Sequence, residues 1–304
     1  MPRLMYILSR VICLLLLANG VCYAQEDSRG SRAKALKTEE KAGVTRALVI
    51  GIGKSGERDA NLFCTYLQKA EQLPEEQLFC LTGKNATAVA IYTRAKELVD
   101  SVEANDIIYV YFSGISYPNT YFDDRESLFL TSDASLEHIQ LGAPGLIRLS
   151  DLVKLFGKAT EKAAQVRYVF DSNKIDTPNL TEAQALHNLE NLQTLTQGTQ
   201  TFLATTGNQF SQTNASGDYG IYTRFWVTGL LGAADLNADN EITYSEFDDY
   251  LYENTQAASN SKQSPLSPSQ PGAILKKLQP GVREKALELS KKPEAFLLKF
   301  LKEL

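Results

Sequence analysis

The sequence predicts an α/β fold, with a mostly parallel central sheet and helices on both faces. Two observations predict it. Short runs that are apolar throughout, rather than alternating, recur along the chain, as expected of strands buried on both sides. Between them lie stretches with apolar residues at helical spacing, and strand alternating with helix is the pattern of a parallel sheet built from crossovers.

The elements follow in order. Ala47-Leu48-Val49-Ile50 forms the first strand, ended by Gly51-Ile52-Gly53. Ala60, Leu62, Phe63 and Leu67 supply the apolar face of the first helix. Residues 77–81 are a second strand closed by Thr82-Gly83, and 86–102 a helix with Thr87 as its N-cap. Residues 107–112 read as the third strand and 128–130 as a short hairpin strand. A helix over 149–164, a fourth buried strand over 166–170 and a helix over 184–195 come next. Residues 201–205 are a fifth strand and 219–232 a closing helix.

Composition sets the bounds. The chain has 304 residues, room for one large domain or two ordinary ones. It is 43% hydrophobic and 22% charged, which is globular rather than disordered. A formal net charge of -5 offers no basic face, so nucleic acid is not an expected partner.

Residues 1–24 have the layout of a secretory signal peptide: Arg3 and Arg10, a short apolar core over 11–18, then Cys22-Tyr23-Ala24 with cleavage expected after Ala24. That core is shorter than the roughly 20 residues a membrane span needs. A lipid anchor on Cys22 is the alternative, although Asn19-Gly20-Val21 matches it poorly. The expectation is an exported protein, periplasmic or secreted. After cleavage Cys64 and Cys80 remain, and two readings stand for them: a disulfide, as an oxidising compartment permits, or two buried thiols.

Residues 25–43 read as a charged, flexible leader. Residues 256–272, rich in Ser, Pro, Gln and Asn, read as a linker. Residues 273–304 form a lysine-rich amphipathic tail carrying Leu275, Leu278, Leu287, Leu297, Leu298 and Leu301, broken by Pro280 and Pro293. Such a segment docks on a partner or on the body of the protein, or lies on a membrane surface.

A set of short motifs, taken in order, carries a resemblance. These are residues 46–53 with Asp59-Ala60-Asn61-Leu62, Leu81-Thr82-Gly83 with Ala86-Thr87, and residues 107–114. Leu130-Thr131-Ser132-Asp133-Ala134, Val169-Phe170-Asp171-Ser172, and residues 201–207 and 220–235 continue it. Together they resemble the caspase and metacaspase class of cysteine peptidases, over residues 44–255, which implies a caspase-like sandwich. In that family a cysteine thiolate attacks the scissile carbonyl and a histidine moves the protons, both at the carboxyl ends of neighbouring strands.

At those positions this chain departs from the family. Ser-Gly-His-Gly is Ser113-Gly114-Ile115-Ser116 here, and Asp-Ser-Cys is Asp171-Ser172-Asn173. Ile115 carries no proton and Asn173 has no useful nucleophilicity. Losing one member of such a unit costs on the order of a millionfold in turnover, and losing the second adds little. The chain has two histidines, His138 and His187, as candidates for a relocated base. Ser113, Ser116 and Ser172 remain near the degenerate site, either as turn residues or as unorthodox nucleophiles. The resemblance also implies that Asp171 lines an acidic pocket for a basic side chain, where it would hold a Lys or Arg of a partner; the alternative is a carboxylate satisfied by backbone N–H groups.

One further motif offers positive chemistry. Residues 235–246 fit the twelve-residue EF-hand spacing. Asp235, Asn237 and Asp239 take the first three ligand places, Glu241 offers its carbonyl, Thr243 stands at the water-bridged place and Glu246 at the last. Helices over 225–234 and 247–252 would flank it. The sixth place, usually Gly, is Asn240, the residue that best tolerates a left-handed backbone after Gly. The expected cofactor is weakly bound calcium; the alternative is an Asx-rich turn capping the second helix.

The expected function is therefore an exported, non-catalytic relative of caspase-type peptidases that binds a protein or peptide. Two alternatives stand beside it: a hydrolase with an unorthodox nucleophile, and a calcium-stabilised envelope component whose tail touches membrane.

Overall fold

The computed structural model describes residues 43–119, 125–134, 145–174, 181–217 and 219–304. The expected signal peptide, nearly all of the expected leader, and His138 lie outside the described residues.

From the amino end come β1 (Thr45–Gly51), α1 (Gly53–Lys69), β2 (Leu78–Thr82), α2 (Ala88–Ser101) and β3 (Ile107–Ser113). Then follow β4 (Ser116–Pro118), β5 (Ser127–Leu130), β6 (Leu146–Arg148), α3 (Leu149–Thr160) and β7 (Gln165–Asp171). After these come α4 (Glu182–Leu195), β8 (Gln200–Leu203), α5 (Ile221–Thr228), β9 (Glu241–Thr243) and α6 (Tyr244–Ala258). β10 (Ile274–Lys277), α7 (Val282–Ser290) and α8 (Glu294–Glu303) close the chain.

The central sheet has five strands, all parallel, in the order β2-β1-β3-β7-β8. The strand order switches direction at β1, since β2 lies on one side of it and β3 on the other. Ligands of open α/β sheets bind beyond the carboxyl ends of strands at such a switch.

Alternate residues of each strand feed two cores. Ala47, Val49, Tyr109, Tyr111, Val169 and Phe202 pack against α1, α5, α6, α7 and α8. Leu48, Ile50, Ile108, Val110, Phe112 and Phe170 pack against α2, α3 and α4. Both sides of the strands are therefore dry, which is why the runs read as continuously apolar. Thr87 caps α2, its hydroxyl accepting from the Ala90 N–H at 3.2 Å. β4, β5 and β6 form a separate antiparallel sheet beside α4. Cys64 of α1 and Cys80 of β2 are joined as a disulfide, with their Cα atoms 6.3 Å apart.

Three segments differ from the sequence expectation. Residues 256–272 are not a free linker: α6 runs on to Ala258, and the remainder lies along the edge of the main sheet. Leu266 exchanges two backbone hydrogen bonds with Leu203 of β8, at 2.8 and 2.9 Å. Fully buried Gln263 donates to the Ala204 carbonyl at 2.8 Å and accepts from the Gln212 N–H at 2.8 Å. An edge strand exposes a row of unpaired backbone groups, and here Leu266 and Gln263 satisfy those of Leu203 and the Ala204 carbonyl.

The tail is likewise part of the body. It opens as a strand, β10, antiparallel to β9, rather than as a helix. Lys276 of β10 is held by Glu71, the Tyr66 hydroxyl and the Leu230 carbonyl. Leu275, Ala286, Leu289, Leu297 and Leu301 are buried in the same core as α1 and α5. The expected breaks do fall at the prolines: Pro293 is the N-cap of α8, and Pro280 immediately precedes Gly281, the N-cap of α7. Among the described residues, no helix is long and apolar enough to cross a membrane.

Finally, the closing helix does not run unbroken to residue 234. α5 ends at Thr228 and continues as a π-helical turn, Gly229–Ala233, kinked at Gly232.

Candidate functional site

Register brings the expected site residues to one level. Gly51 of β1 pairs with Ser113 of β3, and Ser113 pairs with Asp171 of β7, all at the carboxyl ends of their strands. α1 packs close over this edge. A Cβ on Gly56 would fall 2.4 Å from the Ser113 carbonyl oxygen, so only glycine allows that approach. One turn on, Asp59 is carried directly onto Ser113.

Asn173, at the expected nucleophile position, is fully buried and left-handed at φ 55°. Its amide donates to the Ala185 carbonyl of α4 at 2.9 Å, and its oxygen accepts from Asn188 of α4 at 2.7 Å. Asn188 also donates to the Ser116 hydroxyl at 2.7 Å. Both hydrogen-bonding ends of the amide are thus tied to the helix that covers it. Ile115, at the expected base position, packs beside Leu128, Leu130, Ala185 and Phe210 in a small apolar cluster. His187 lies on α4 with its ring directed to Glu190 at 3.8 Å. Ser113, Ser116 and Ser172 are buried; the Ser113 hydroxyl bonds Asp59, and the Ser116 hydroxyl bonds Asn188 and Asn173.

The strongest electrostatic feature is one the sequence reading did not assemble. Lys174, fully buried, sits between Asp59 at 3.0 Å and Asp171 at 2.8 Å. Around the carboxylates stands a shell of donors. Asp59 accepts from the Gly220 N–H at 2.7 Å and from the Ser113 hydroxyl at 3.0 Å. Ser211 and Thr223 hydroxyls donate to Asp171 at 2.5 and 2.7 Å. Tyr111 lies 2.6 Å from the Thr223 hydroxyl.

One ammonium between two carboxylates leaves one negative charge over. Burial, followed by the Asp171 charge, pushes Asp59 up to about 6, against the pull of Lys174 and the Gly220 N–H. Burial alone would lower the Lys174 pKa, but the charges of Asp171 and Asp59 override it and hold the ammonium above its ordinary value.

Asp171 is satisfied by the Ser211 and Thr223 hydroxyls and the Lys174 ammonium rather than by backbone N–H groups. Asp59, Lys174, Ser211, Gly220 and Thr223 were missed. A signal existed for Asp59, a lone carboxylate one residue before Ala60 and three before Leu62 on the apolar face of a helix.

The EF-hand-like loop keeps part of the expected geometry. Asn240 is left-handed at φ 66°. The Asp235 carboxylate accepts from the Asp239 and Asn240 N–H groups, both at 3.2 Å. Glu246 accepts from the Asn237 N–H at 3.3 Å and from the Thr243 N–H at 3.0 Å. Thr243 and Glu246 also form a reciprocal capping box on α6. Asn237 donates to Asp239 at 3.0 Å, and Lys277 pairs with Glu241 at 3.1 Å. Among the described residues, no three Asp, Glu, His or Cys side chains are gathered closely enough to hold a metal ion. The backbone fits calcium better than the side chains do, and a filled site would draw on the amide of Asn237 and the carbonyl of Glu241.

No family model and no curated protein matches this chain. Among solved structures, protein GSU0716 from Geobacter sulfurreducens is similar at a TM-score of 0.50 and 16% identity, over 78% of this chain and 97% of that one. At that identity the likeness bears on the fold alone.

Proposed function

We propose that the chain is an exported, non-catalytic relative of the caspase-type peptidases, a scaffold that recognises a protein or peptide without cutting it. The observation that carries this reading is the state of Asn173: an amide in place of a thiol, fully buried, with both ends bonded to α4. A nucleophile must reach its substrate and have a base within hydrogen-bond range; this position has neither. The Cys64–Cys80 disulfide supports export, since such bonds persist in oxidising compartments.

Weak calcium binding at Asp235, Asn237, Asp239 and Glu246, with the Glu241 carbonyl and Thr243, completes the proposal. What supports it is the left-handed Asn240 and the N–H groups that already orient Asp235.

Recognition would use a surface other than the degenerate site. A groove of about 620 Å³, lined by Leu231, Leu278, Val282, Ala286, Leu289 and Phe300 and by Lys69, Glu71, Lys276, Lys277 and Lys285, opens beside the carboxyl end of α1. It lies about 15 Å along that helix from Asp59, at 1.5 Å of rise per residue.

The test is incubation of pure protein with a cysteine-directed peptidyl ketone carrying Lys or Arg, and with the matching fluorogenic peptides. The expected result is no covalent adduct and no turnover. An adduct at a thiol, or catalytic cleavage by contaminant-free protein, overturns the reading.

A further inference from the structure

A second concentration of buried charge lies at the amino ends of the central strands. Arg167 stands near the start of β7, in register with Tyr109 of β3 and Gln200 of β8. It is only 5% exposed. Its Nε donates to Gln200 Oε1 and its Nη1 to the Tyr109 hydroxyl, both at 2.7 Å. The Tyr244 hydroxyl is a further acceptor beside it. The Tyr109 and Tyr244 rings lie 5.4 and 6.0 Å from the guanidinium. All of these partners are neutral, and among the described residues no carboxylate pairs with Arg167. Buried charges are ordinarily paired. Cation–π contacts return less than the desolvation of an ion costs.

Arg167 lines a cavity of about 100 Å³ with Thr45, Tyr66, Tyr109, Glu71 and Lys276. Glu71 does not serve Arg167, because it bonds Lys276 and the Tyr66 hydroxyl. Two cations thus share one carboxylate, and one positive charge is left over. The carboxyl end of α1, which also borders the cavity, supplies only a fraction of a negative charge. We propose that this cavity is a binding site for a single carboxylate group, held against Arg167. Gln200 and Tyr109 use two of the five guanidinium N–H groups, and a guanidinium edge matches the two oxygens of a carboxylate. The space equals that of roughly three waters, which suits an acetate-sized group. One surplus positive charge matches a monoanion, whereas a phosphate dianion would leave a negative charge buried. The inference rests on Arg167 and its cavity and holds whether or not the chain is a relative of peptidases.

The experiment titrates the purified protein with sodium acetate, with acetamide as the neutral control of like shape and sodium chloride at equal ionic strength as the control for salt. Melting temperature and heat of binding are followed together. Acetate is expected to raise the melting temperature saturably, by roughly 3–5 °C at tenfold excess over Kd, with a matching heat of binding. Acetamide and chloride are expected not to reproduce it. No saturable response to acetate, or an equal response to either control, overturns the proposal.

Two variants locate the response. Arg167→Met removes the cation and is expected to abolish acetate binding; an unchanged Kd there overturns the proposal. Glu71→Gln removes the one carboxylate of the cavity at a partly exposed position, so it carries the test if Arg167→Met does not fold. It leaves two cations unmatched and is expected to lower the acetate Kd roughly tenfold. An equal or weaker affinity overturns the proposal. Titration with octanoate separates the sources of the carboxylate, since Glu71 and Lys276 also line the larger groove. Binding no tighter than acetate assigns the site to a free small acid, and tighter binding that is lost in Arg167→Met assigns it to a carboxylate heading an apolar chain.

Discussion

Asp59 shows how one residue sets a pH dependence. Its carboxyl is pushed up to about 6 in the folded chain, chiefly by burial, against an ordinary value of 3.8. Between those two pH values the folded chain holds a proton that the unfolded chain has released. Stability from this group therefore rises as pH falls through 6 and is complete below about 4. Asp106 opposes it. Burial works to raise that carboxyl, but the Glu103 and Val44 N–H groups and Arg46 outweigh burial and lower it. Its contribution is present above the unfolded value and is lost as pH falls through the folded one.

For Asp59 the difference corresponds to on the order of 3 kcal/mol between pH 7 and pH 4. Urea unfolding at the two values is expected to show this term in the wild type and not in Asp59→Asn. Identical pH dependence in the two proteins would remove the assignment.

At this scale the sequence was only partly legible. That Ile115 and Asn173 cannot do acid, base or nucleophilic work is a matter of side-chain chemistry and needs no coordinates. That Lys174 lies buried between Asp59 and Asp171 was not readable. The cluster joins residues 59, 171 and 220, brought together by the crossover of α1 and the register of β3 with β7.

Among elements, those of the two main cores were legible and the edges were not. A strand covered on both faces must be apolar throughout, so β1, β3 and β7 announce themselves. β10 carries Ile-Leu-Lys-Lys, which has no strand period of its own, and it is a strand because β9 offers an edge to pair with. Leu266 pairs with Leu203 of β8 for the same reason.

The EF-hand-like element sits between these cases, since its spacing was legible but its side-chain pairing was not. Asn237 bonds Asp239 and Glu246 caps α6, so calcium has to displace the first contact while the second can persist. This argues for a dissociation constant on the order of 10⁻⁴ M or weaker, as in extracellular modules. At 5 mM calcium, the melting temperature is expected to exceed that in chelator by several degrees, and Glu246→Gln is expected to abolish the difference. No shift and no heat of binding would leave residues 235–246 as a capping turn.

Over the whole molecule, the question is whether residues 273–304 are an appendage or part of the domain. Leu275, Leu289, Leu297 and Leu301 are at most 8% exposed and join the core formed by α1 and α5. Burying each is worth about 2 kcal/mol, so their loss removes on the order of 8 kcal/mol, an upper bound because unfolded chains already bury some surface. A domain is stable by only about 5–15 kcal/mol. Truncation after Pro271 also strips β9 of its partner and leaves Glu71 without Lys276.

The truncated chain is therefore expected to lose its cooperative thermal transition and its near-ultraviolet dichroism, and to bind hydrophobic dyes. The disulfide would not rescue it: closing a loop of 16 residues contributes about 3 kcal/mol, less than the burial that truncation removes. Because the same leucines face inward, the full-length protein is expected not to float with liposomes. A truncated protein that melts cooperatively at the full-length temperature, while the intact one floats, would make the segment a membrane-facing tail after all.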